Sequence, residues 1–175
     1  MTDIRISKLA KLLVNYSLRL KKGDTFMIQS KTACAPLVKE VYKEALIAGA
    51  HPMVFTNLED LNEIFYKYGS DEQLSYVAPY SIDLIKNVDA FLSIWGEYNT
   101  KSLTNIDPAR MKIRSQALGE YNKIYMERIG NGSLRWCGTE FPTNGCAMDA
   151  EMSLSEYEDF VYGAGHIDAD DPVAH

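Results

Sequence analysis

Apolar residues recur along this chain with two different periods. The first segment has apolar positions three or four residues apart, which predicts a helix with one buried face. Those positions are Ile6, Leu9, Ala10, Leu13, Tyr16 and Leu20. Four short apolar runs follow, and each predicts a buried strand. They are TFMIQS (25–30), PMVFT (52–56), DAFLSIW (89–95) and SLRWCGT (133–139).

Helical patterns fill the spaces between these strands. Thr32 is a candidate cap for a helix with Pro36 in its first turn, and that helix buries a face that includes Tyr42 and Leu46. The spacing of Ser70 and Gln73 matches a capping box, as does that of Ser153 and Glu156. The second box predicts a helix whose Tyr157, Phe160 and Val161 face inward. Asp107-Pro108 predicts the start of one helix that runs to Gly130.

Strands that alternate with long helices predict a parallel sheet, because parallel strands need a helical crossover between them. We therefore expect an α/β three-layer domain with a mostly parallel sheet and helices on both faces. Residues 1–165 should form this domain, and residues 166–175 (HIDADDPVAH) should form a linker. The aspartates and histidines of that linker are interpreted as an exposed connector rather than as a metal site.

The net charge of −6 argues against nucleic acid as a partner, since phosphate binding needs a concentrated basic face. The N-terminal segment lacks the apolar core of a signal peptide. No apolar run reaches the roughly 20 residues that cross a bilayer, so no membrane partner is expected. Three cysteines fit a reducing compartment. These features predict a cytoplasmic protein.

The residues offer little catalytic chemistry of their own. Cys137 and Cys146 have no histidine near them in sequence, so we interpret both as structural, although a helix start near Cys146 could activate its thiol. His51 fits a turn. The loops that follow the first and third strands lack the glycine-rich patterns of phosphate cradles, which argues against nucleotide binding. Neither a catalytic nor a metal-binding residue is assigned.

Blocks along nearly the whole chain resemble the aminopeptidase T and aminopeptidase S family of metalloaminopeptidases. They include KLAKLLVNYSLRLKKGD (8–24), APLVKEVYKEALIAGAHP (35–52) and NVDAFLSIWGEYNTKSLTNIDPAR (87–110). The most specific block is LRWCGTEFPTNGCAMDAEMSLSEYEDFVYGAG (134–165), which carries Trp-x-Gly-Thr-x-x-Pro-Thr and then Met-Ser-x-x-Glu-Tyr-Glu-Asp-Phe. The family has apolar residues where Cys137 and Cys146 stand, so neither is a shared nucleophile.

This resemblance implies a metal-dependent aminopeptidase that removes N-terminal residues from peptides. In full-length family enzymes two divalent metal ions, zinc, cobalt or magnesium, lie in a C-terminal catalytic domain. That domain would follow the linker, so the chain is predicted to be the N-terminal, cavity-forming domain and to be inactive alone, with no metal ion in it. Its expected partners are peptide substrates, its own C-terminal catalytic domain and a second copy in a homodimer.

The family motif also suggests a site at the end of the fourth strand. Ligand crevices of open α/β sheets form at such strand ends. We therefore predict that Trp136, Thr139, Pro142 and Thr143 face the substrate cavity or the interface with the other domain. Two alternatives stay open: a stand-alone binding or dimerisation module derived from this domain, and an unrelated nucleotide-binding domain.

Overall fold

The computed structural model describes residues 3–169 and 171–174. Their central feature is a four-stranded sheet in the order β2-β1-β3-β4, in which every neighbouring pair is parallel. The strands are β1 (Thr25–Lys31), β2 (His51–Asn57), β3 (Ala90–Trp95) and β4 (Arg135–Glu140). The predicted strands 25–30, 52–56, 89–95 and 133–139 all match strands of this sheet to within about two residues.

Nine α-helices surround the sheet within the described ranges. They are α1 (Ile4–Lys11), α2 (Ala35–Ile47), α3 (Leu61–Tyr68), α4 (Asp71–Ser75), α5 (Pro79–Asn87), α6 (Pro108–Ala117), α7 (Gly119–Gly130), α8 (Asn144–Asp149) and α9 (Leu154–Ala164). A π-helical turn (Leu12–Ser17) continues α1, and a 3-10 turn (Thr32–Cys34) precedes α2.

Each face of the sheet has its own hydrophobic core. The larger core joins α1 and α2 to β1 and β3 and also includes Tyr162 of α9 and Ile167. The smaller core places Ile85 of α5 and Leu134 against Met27 and Phe91, with partly buried residues of α7 beside them. The predicted three-layer α/β fold with a parallel sheet and helices on both faces is confirmed.

Several local predictions were wrong, each for a visible reason. Tyr16 is half exposed because the π-helical turn shifts the helix face by one residue, so that Leu13 and Val14 are both buried. Thr32 does not cap α2, because it begins the 3-10 turn and its hydroxyl donates to Glu59. The helix expected from Asp107 to Gly130 is two helices, divided at Leu118.

Besides Tyr16, three predicted core residues are exposed. Tyr42 and Leu46 of α2 are 39% and 54% exposed, and Phe160 of α9 is 59% exposed. The buried face of α2 is narrower than its apolar pattern, since it is formed by Leu37, Val38, Val41 and Ala45. Both capping boxes are present as predicted, at Ser70 and at Ser153.

The division into a domain (1–165) and a linker (166–175) stays a prediction. Ile167 is 1% exposed and packs into the larger core, and the Lys8 ammonium donates to the carbonyl of Ala169. Residues 1, 2, 170 and 175, which that prediction also covers, lie outside the described residues.

Candidate functional site at the carboxyl ends of the strands

The strand order creates a crevice between β1 and β3. The chain leaves β1 toward β2 on one side and leaves β3 toward β4 on the other, which is the switch point where open α/β sheets bind ligands. A cavity of about 100 Å³ lies there. Lys31 and Glu97 border it from the two strand ends, with 3.7 Å between Lys31 Nζ and Glu97 Oε1.

The lining of this crevice is acidic. Glu59, Asp60 and Glu63 join Glu97 around a single lysine side chain. Glu59 accepts a hydrogen bond from Thr32, Glu63 pairs with Lys67 and Glu97 pairs with Lys31, so three of these four carboxylates are already partnered. The surplus of negative charge disfavours phosphate groups, and the volume is far below the several hundred Å³ of ordinary cofactor pockets. The crevice therefore has no feature that would hold a nucleotide.

Two tryptophans are exposed on the face of the sheet that carries α5 and α7. Trp136 is in register with Phe91, and Trp95 lies at the carboxyl end of the same face of β3. The Trp95 ring lies directly over Gly138. A Cβ on that glycine would be only 2.4 Å from Trp95 Cη2. Trp95 is 53% exposed and Trp136 is 41% exposed. We call these two side chains the tryptophan surface.

The four residues predicted for the site share neither one end of β4 nor one surface, because Trp136 is the second residue of the strand and the other three lie at or beyond its carboxyl end. Trp136 is exposed on one face of the sheet, whereas half-buried Thr139 pairs with Ile94 on the opposite face. Pro142 and Thr143 lie beyond the strand and are buried. Their assignment to a substrate cavity or domain interface stays a prediction.

Thr143 has a structural task that its burial explains. Its hydroxyl donates to the carbonyl oxygen of Glu97 at 2.6 Å and accepts from the amide of Cys146 at 3.3 Å. The first bond ties α8 to the loop after β3, and the second caps α8. Thr143 therefore fixes the turn that follows β4.

All three cysteines are free thiols. Burial raises the pKa of Cys34 to about 11, and its thiol donates to the carbonyls of Ile94 and Gly96. Burial also raises the pKa of Cys137. These two thiols remain protonated near neutral pH, which fits packing rather than nucleophilic chemistry. His51 is the exposed first residue of β2, and its amide donates to the carbonyl of Asp24.

The described residues do not fit a catalytic metal centre. Within 3–169 and 171–174, no three His, Cys, Asp or Glu side chains are placed where they could share one ion. We therefore derive no metal-dependent step from this chain. In the same part of the chain, no helix combines the length and the apolar character that crossing a bilayer requires.

Two features of the surface were not predicted. Trp95 could have been found, because it is a large aromatic residue at the end of a predicted strand. A groove of about 1030 Å³ between α3 and α4 was also missed. Tyr68 and Tyr76 line it and are 81% and 64% exposed. Its sequence signal is the run of apolar and aromatic residues in the short helix α3.

The fold and the crevice define the class of protein: an open, doubly wound α/β domain with its accessible surface at the carboxyl ends of the strands. The match to a family is more specific. A family model described as thermophilic metalloprotease (M29) matches residues 2–175. The chain belongs to this family, and the resemblance inferred from the sequence is confirmed.

Individual relatives are longer than this chain. Aminopeptidase 2 of Geobacillus stearothermophilus is 28% identical over 184 residues, which cover 97% of this chain and 43% of that protein. The solved structure of wild-type AmpT from Thermus thermophilus has a TM-score of 0.77 and 21% identity, over 98% of this chain and 44% of AmpT. This structural likeness shows the shared fold. The chain spans less than half the length of each of these relatives.

Proposed function

We propose that this chain is the N-terminal, cavity-forming domain of a metal-dependent aminopeptidase that removes N-terminal residues from peptides. One observation carries the proposal: nearly the whole chain matches less than half of a protein named as an aminopeptidase. The described residues offer no metal centre, so the two divalent ions of this proposal, zinc, cobalt or magnesium, belong to a C-terminal catalytic domain.

The tryptophan surface gives this domain a part in forming the cavity. Aromatic side chains that stay exposed on a sheet face are typical of recognition surfaces. We assign Trp136 to the cavity wall or to the contact with the catalytic domain, and we add Trp95 to it. Thr139, which is half-buried on the other face, is a less favoured assignment, and the buried Pro142 and Thr143 support the turn from within.

The remaining parts of the proposal concern assembly and location. The full protein is proposed to be a cytoplasmic homodimer that acts on peptides without nucleic-acid or membrane partners. Three free thiols are compatible with a reducing compartment. The surplus of acidic over basic residues gives nucleic acid no attraction to the molecule as a whole.

The decisive experiment measures the intact mass of the endogenous protein and its hydrolysis of amino-acid p-nitroanilides with added zinc, cobalt or magnesium. The 175-residue chain of 19.7 kDa is the matched control. We expect an endogenous mass more than twice that value, peptidase activity in the endogenous protein and none in the control. Trp136 should also be quenched less by acrylamide in the longer protein, where the catalytic domain covers it.

Other results would contradict the proposal. An endogenous mass of 19.7 kDa without hydrolysis would favour a stand-alone binding or dimerisation module. Activity that copurifies with the pure 175-residue chain would place the chemistry in this domain. Equal quenching of Trp136 in both proteins would remove it from the proposed surface.

A further inference from the structure

The groove between α3 and α4 lies next to the acidic crevice. Residues in the first turn of α3 line the crevice, and residues from the rest of that helix line the groove. Its volume of about 1030 Å³ is at the upper end of the range for ligand pockets. The space therefore admits several residues of an extended peptide, and we call it the α3–α4 groove.

Two arginines of α6 fix both walls of this groove. The Arg110 guanidinium donates to the carbonyls of Tyr66 and Gly69, at the end of α3. The Arg114 guanidinium donates to two backbone carbonyls at the end of α4. Because both helices are bound to the same third helix, the groove is formed before any ligand arrives, which reduces the cost of ordering on binding.

The turn that joins the two helices is also closely packed. A Cβ at Gly69 would lie 2.7 Å from the carbonyl oxygen of Phe65, so the glycine allows a close approach of backbone to backbone. Ser70 and Gln73 then form the capping box that begins α4. The base of the groove is consequently set by backbone geometry rather than by side chains that could fill the space.

Aromatic rings supply much of the lining. Tyr68 and Tyr76 are 81% and 64% exposed, and Phe65 lies between them in the lining. The faces of such rings carry negative potential and attract cations. Phe65 already shows this preference, because the guanidinium carbon of Arg114 lies 5.6 Å from its ring centroid. The exposed tyrosine rings can offer the same contact to a ligand.

The charge of the groove is negative. Glu72 is the one charged side chain in its lining, and that side chain has no partner among the residues that the structure describes. The wider segment 58–76 contains five carboxylates and a single lysine. Within it, Glu63 pairs with Lys67, and Asp71 pairs with an arginine of α6. An unpaired carboxylate among aromatic rings is complementary to a cation.

We propose that the α3–α4 groove binds a lysine or arginine side chain of a peptide. The inference rests on the proposed function for the peptide and deepens it by naming basic peptides as a preferred class. A lysine or arginine has an apolar stem that fits the rings and a charged end that fits Glu72. A second copy of the chain is disfavoured, because it would bring a net charge of −6 to an acidic surface.

The first test titrates the isotope-labelled 175-residue chain, which has its own hydrophobic cores, and follows its amide chemical shifts by NMR. The probe is Ala-Lys-Ala-Lys-Ala with an acetylated N-terminus and an amidated C-terminus. Lysine then carries its only charges, and an aminopeptidase has no free N-terminus to cleave. The same peptide with norleucine in place of lysine keeps the apolar stem without the charge, and a glutamate version reverses the charge.

We expect the lysine peptide to shift the amides of residues 64–76 and to bind about fivefold more tightly than the norleucine peptide. The glutamate peptide should leave those amides unchanged. Equal affinity for the lysine and norleucine peptides would overturn the proposal, because the groove would then recognise only apolar surface. Shifts confined to residues outside the α3–α4 groove would overturn it too.

Variants separate the two contributions. Glu72→Gln removes the charge and Tyr68→Leu removes a ring while keeping an apolar side chain, and each should weaken binding of the lysine peptide about threefold or more. Glu127→Gln, on an exposed side chain of α7, changes the net charge equally, and Tyr98→Leu removes a tyrosine that is 60% exposed elsewhere. Both controls should bind as the wild type does. Equal losses in variants and controls would overturn the site.

The longer endogenous protein gives the last test. It should bind the acetylated lysine peptide as the 175-residue chain does, and loss of binding there would overturn the proposal, because another part of the protein would cover the groove. The peptidase is judged separately. Hydrolysis of p-nitroanilides without binding of the lysine peptide would remove only the groove, whereas binding without hydrolysis would remove only the peptidase.

Discussion

The two edge strands of the sheet differ in how firmly side chains hold them. β4 is tied at both ends. The Arg135 guanidinium donates to the carbonyls of Leu18 and Arg19 and to the Asp24 carboxylate at 2.7 Å. At the other end, the Tyr157 hydroxyl donates to Glu140 at 2.6 Å. These bonds join β4 to the first helical segment and to α9.

β2 has no comparable ties. Its one side-chain hydrogen bond within the described chain is a 3.4 Å contact between the hydroxyls of Thr56 and Ser30. Both strands sit at an edge of the same parallel sheet, yet one is fixed by charged and aromatic neighbours and the other is uncharged and open. The comparison shows that side-chain chemistry, rather than position in the sheet, decides how firmly each edge strand is tied to its neighbours.

Among variants that test this difference between the two edges, Gly145→Ala should have the largest effect on the free energy of unfolding. Gly145 lies in the turn that follows β4. A Cβ at Gly145 would lie 2.3 Å from the carbonyl oxygen of Glu97 and 2.6 Å from that of Tyr98. Backbone atoms cannot move aside as a flexible side chain can, so the free energy of unfolding should fall by about 3 kcal/mol, at the upper end for overpacking. Urea denaturation measures this change.

Gly163→Ala, within α9, is the matched control. A Cβ there meets nothing within 4 Å, and alanine favours a helix over glycine. This variant should therefore gain up to about 1 kcal/mol. If Gly145→Ala proved as stable as Gly163→Ala, the turn after β4 would not be closely packed and the contrast with β2 would weaken.

The sequence was sufficient to predict the sheet and its helical layers. Apolar runs indicate which elements are buried, and turn residues mark where those elements end. It was less informative about which apolar side chains stay exposed. Tyr16 depends on a π-helical turn, and the exposure of Phe160 depends on how α9 lies against the sheet. Neither feature leaves a local pattern, since both arise when elements pack together.

The candidate site shows the same limit. The strand end and its motif could be identified from the sequence, and the alternation of side chains along a strand places Trp136 and Thr139 on opposite faces. Which helices cover each face could be read only from the register with β3. The contact between Trp95 and Gly138 joins residues that are distant in sequence. Its signal would have been a glycine inside a strand, which often marks the close approach of another group.

A smaller effect is expected from Thr143→Val, which keeps the shape of the side chain and removes its hydroxyl. The variant loses the cap of α8 and leaves the partly buried carbonyl of Glu97 without its 2.6 Å donor. The free energy of unfolding should fall by about 2 kcal/mol. Thr143→Ser, which retains the hydroxyl, should recover most of that loss in the same denaturation measurement.

Thr56→Val provides the comparison on the open edge. Thr56 is exposed and valine is well suited to a strand. The free energy of unfolding of the Thr56→Val variant should therefore differ from that of the wild type by less than about 0.5 kcal/mol. Equal losses at Thr143 and Thr56 would contradict the division into a fixed and an open edge.

The smallest effect is expected from Tyr157→Phe, which cuts the tie between α9 and β4. Losing this hydrogen bond should lower the unfolding free energy by about 1 kcal/mol at pH 7. Burial and the bond to Glu140 raise the pKa of Tyr157 well above its ordinary value. Its contribution is therefore complete below about pH 10, where the unfolded side chain is still neutral, and is lost as the pH rises further.

Unfolding measured between about pH 9 and pH 11 should consequently depend less steeply on pH in Tyr157→Phe than in the wild type. The slope should not vanish, because burial raises the pKa of Tyr125 and of Tyr162 to about 12. Tyr68→Phe, on a side chain that is 81% exposed, should leave both stability and slope nearly unchanged. If Tyr157→Phe kept the full wild-type slope, the bond to Glu140 would not hold α9 to the end of β4, and that edge would be held by Arg135 and the turn at Thr143 alone.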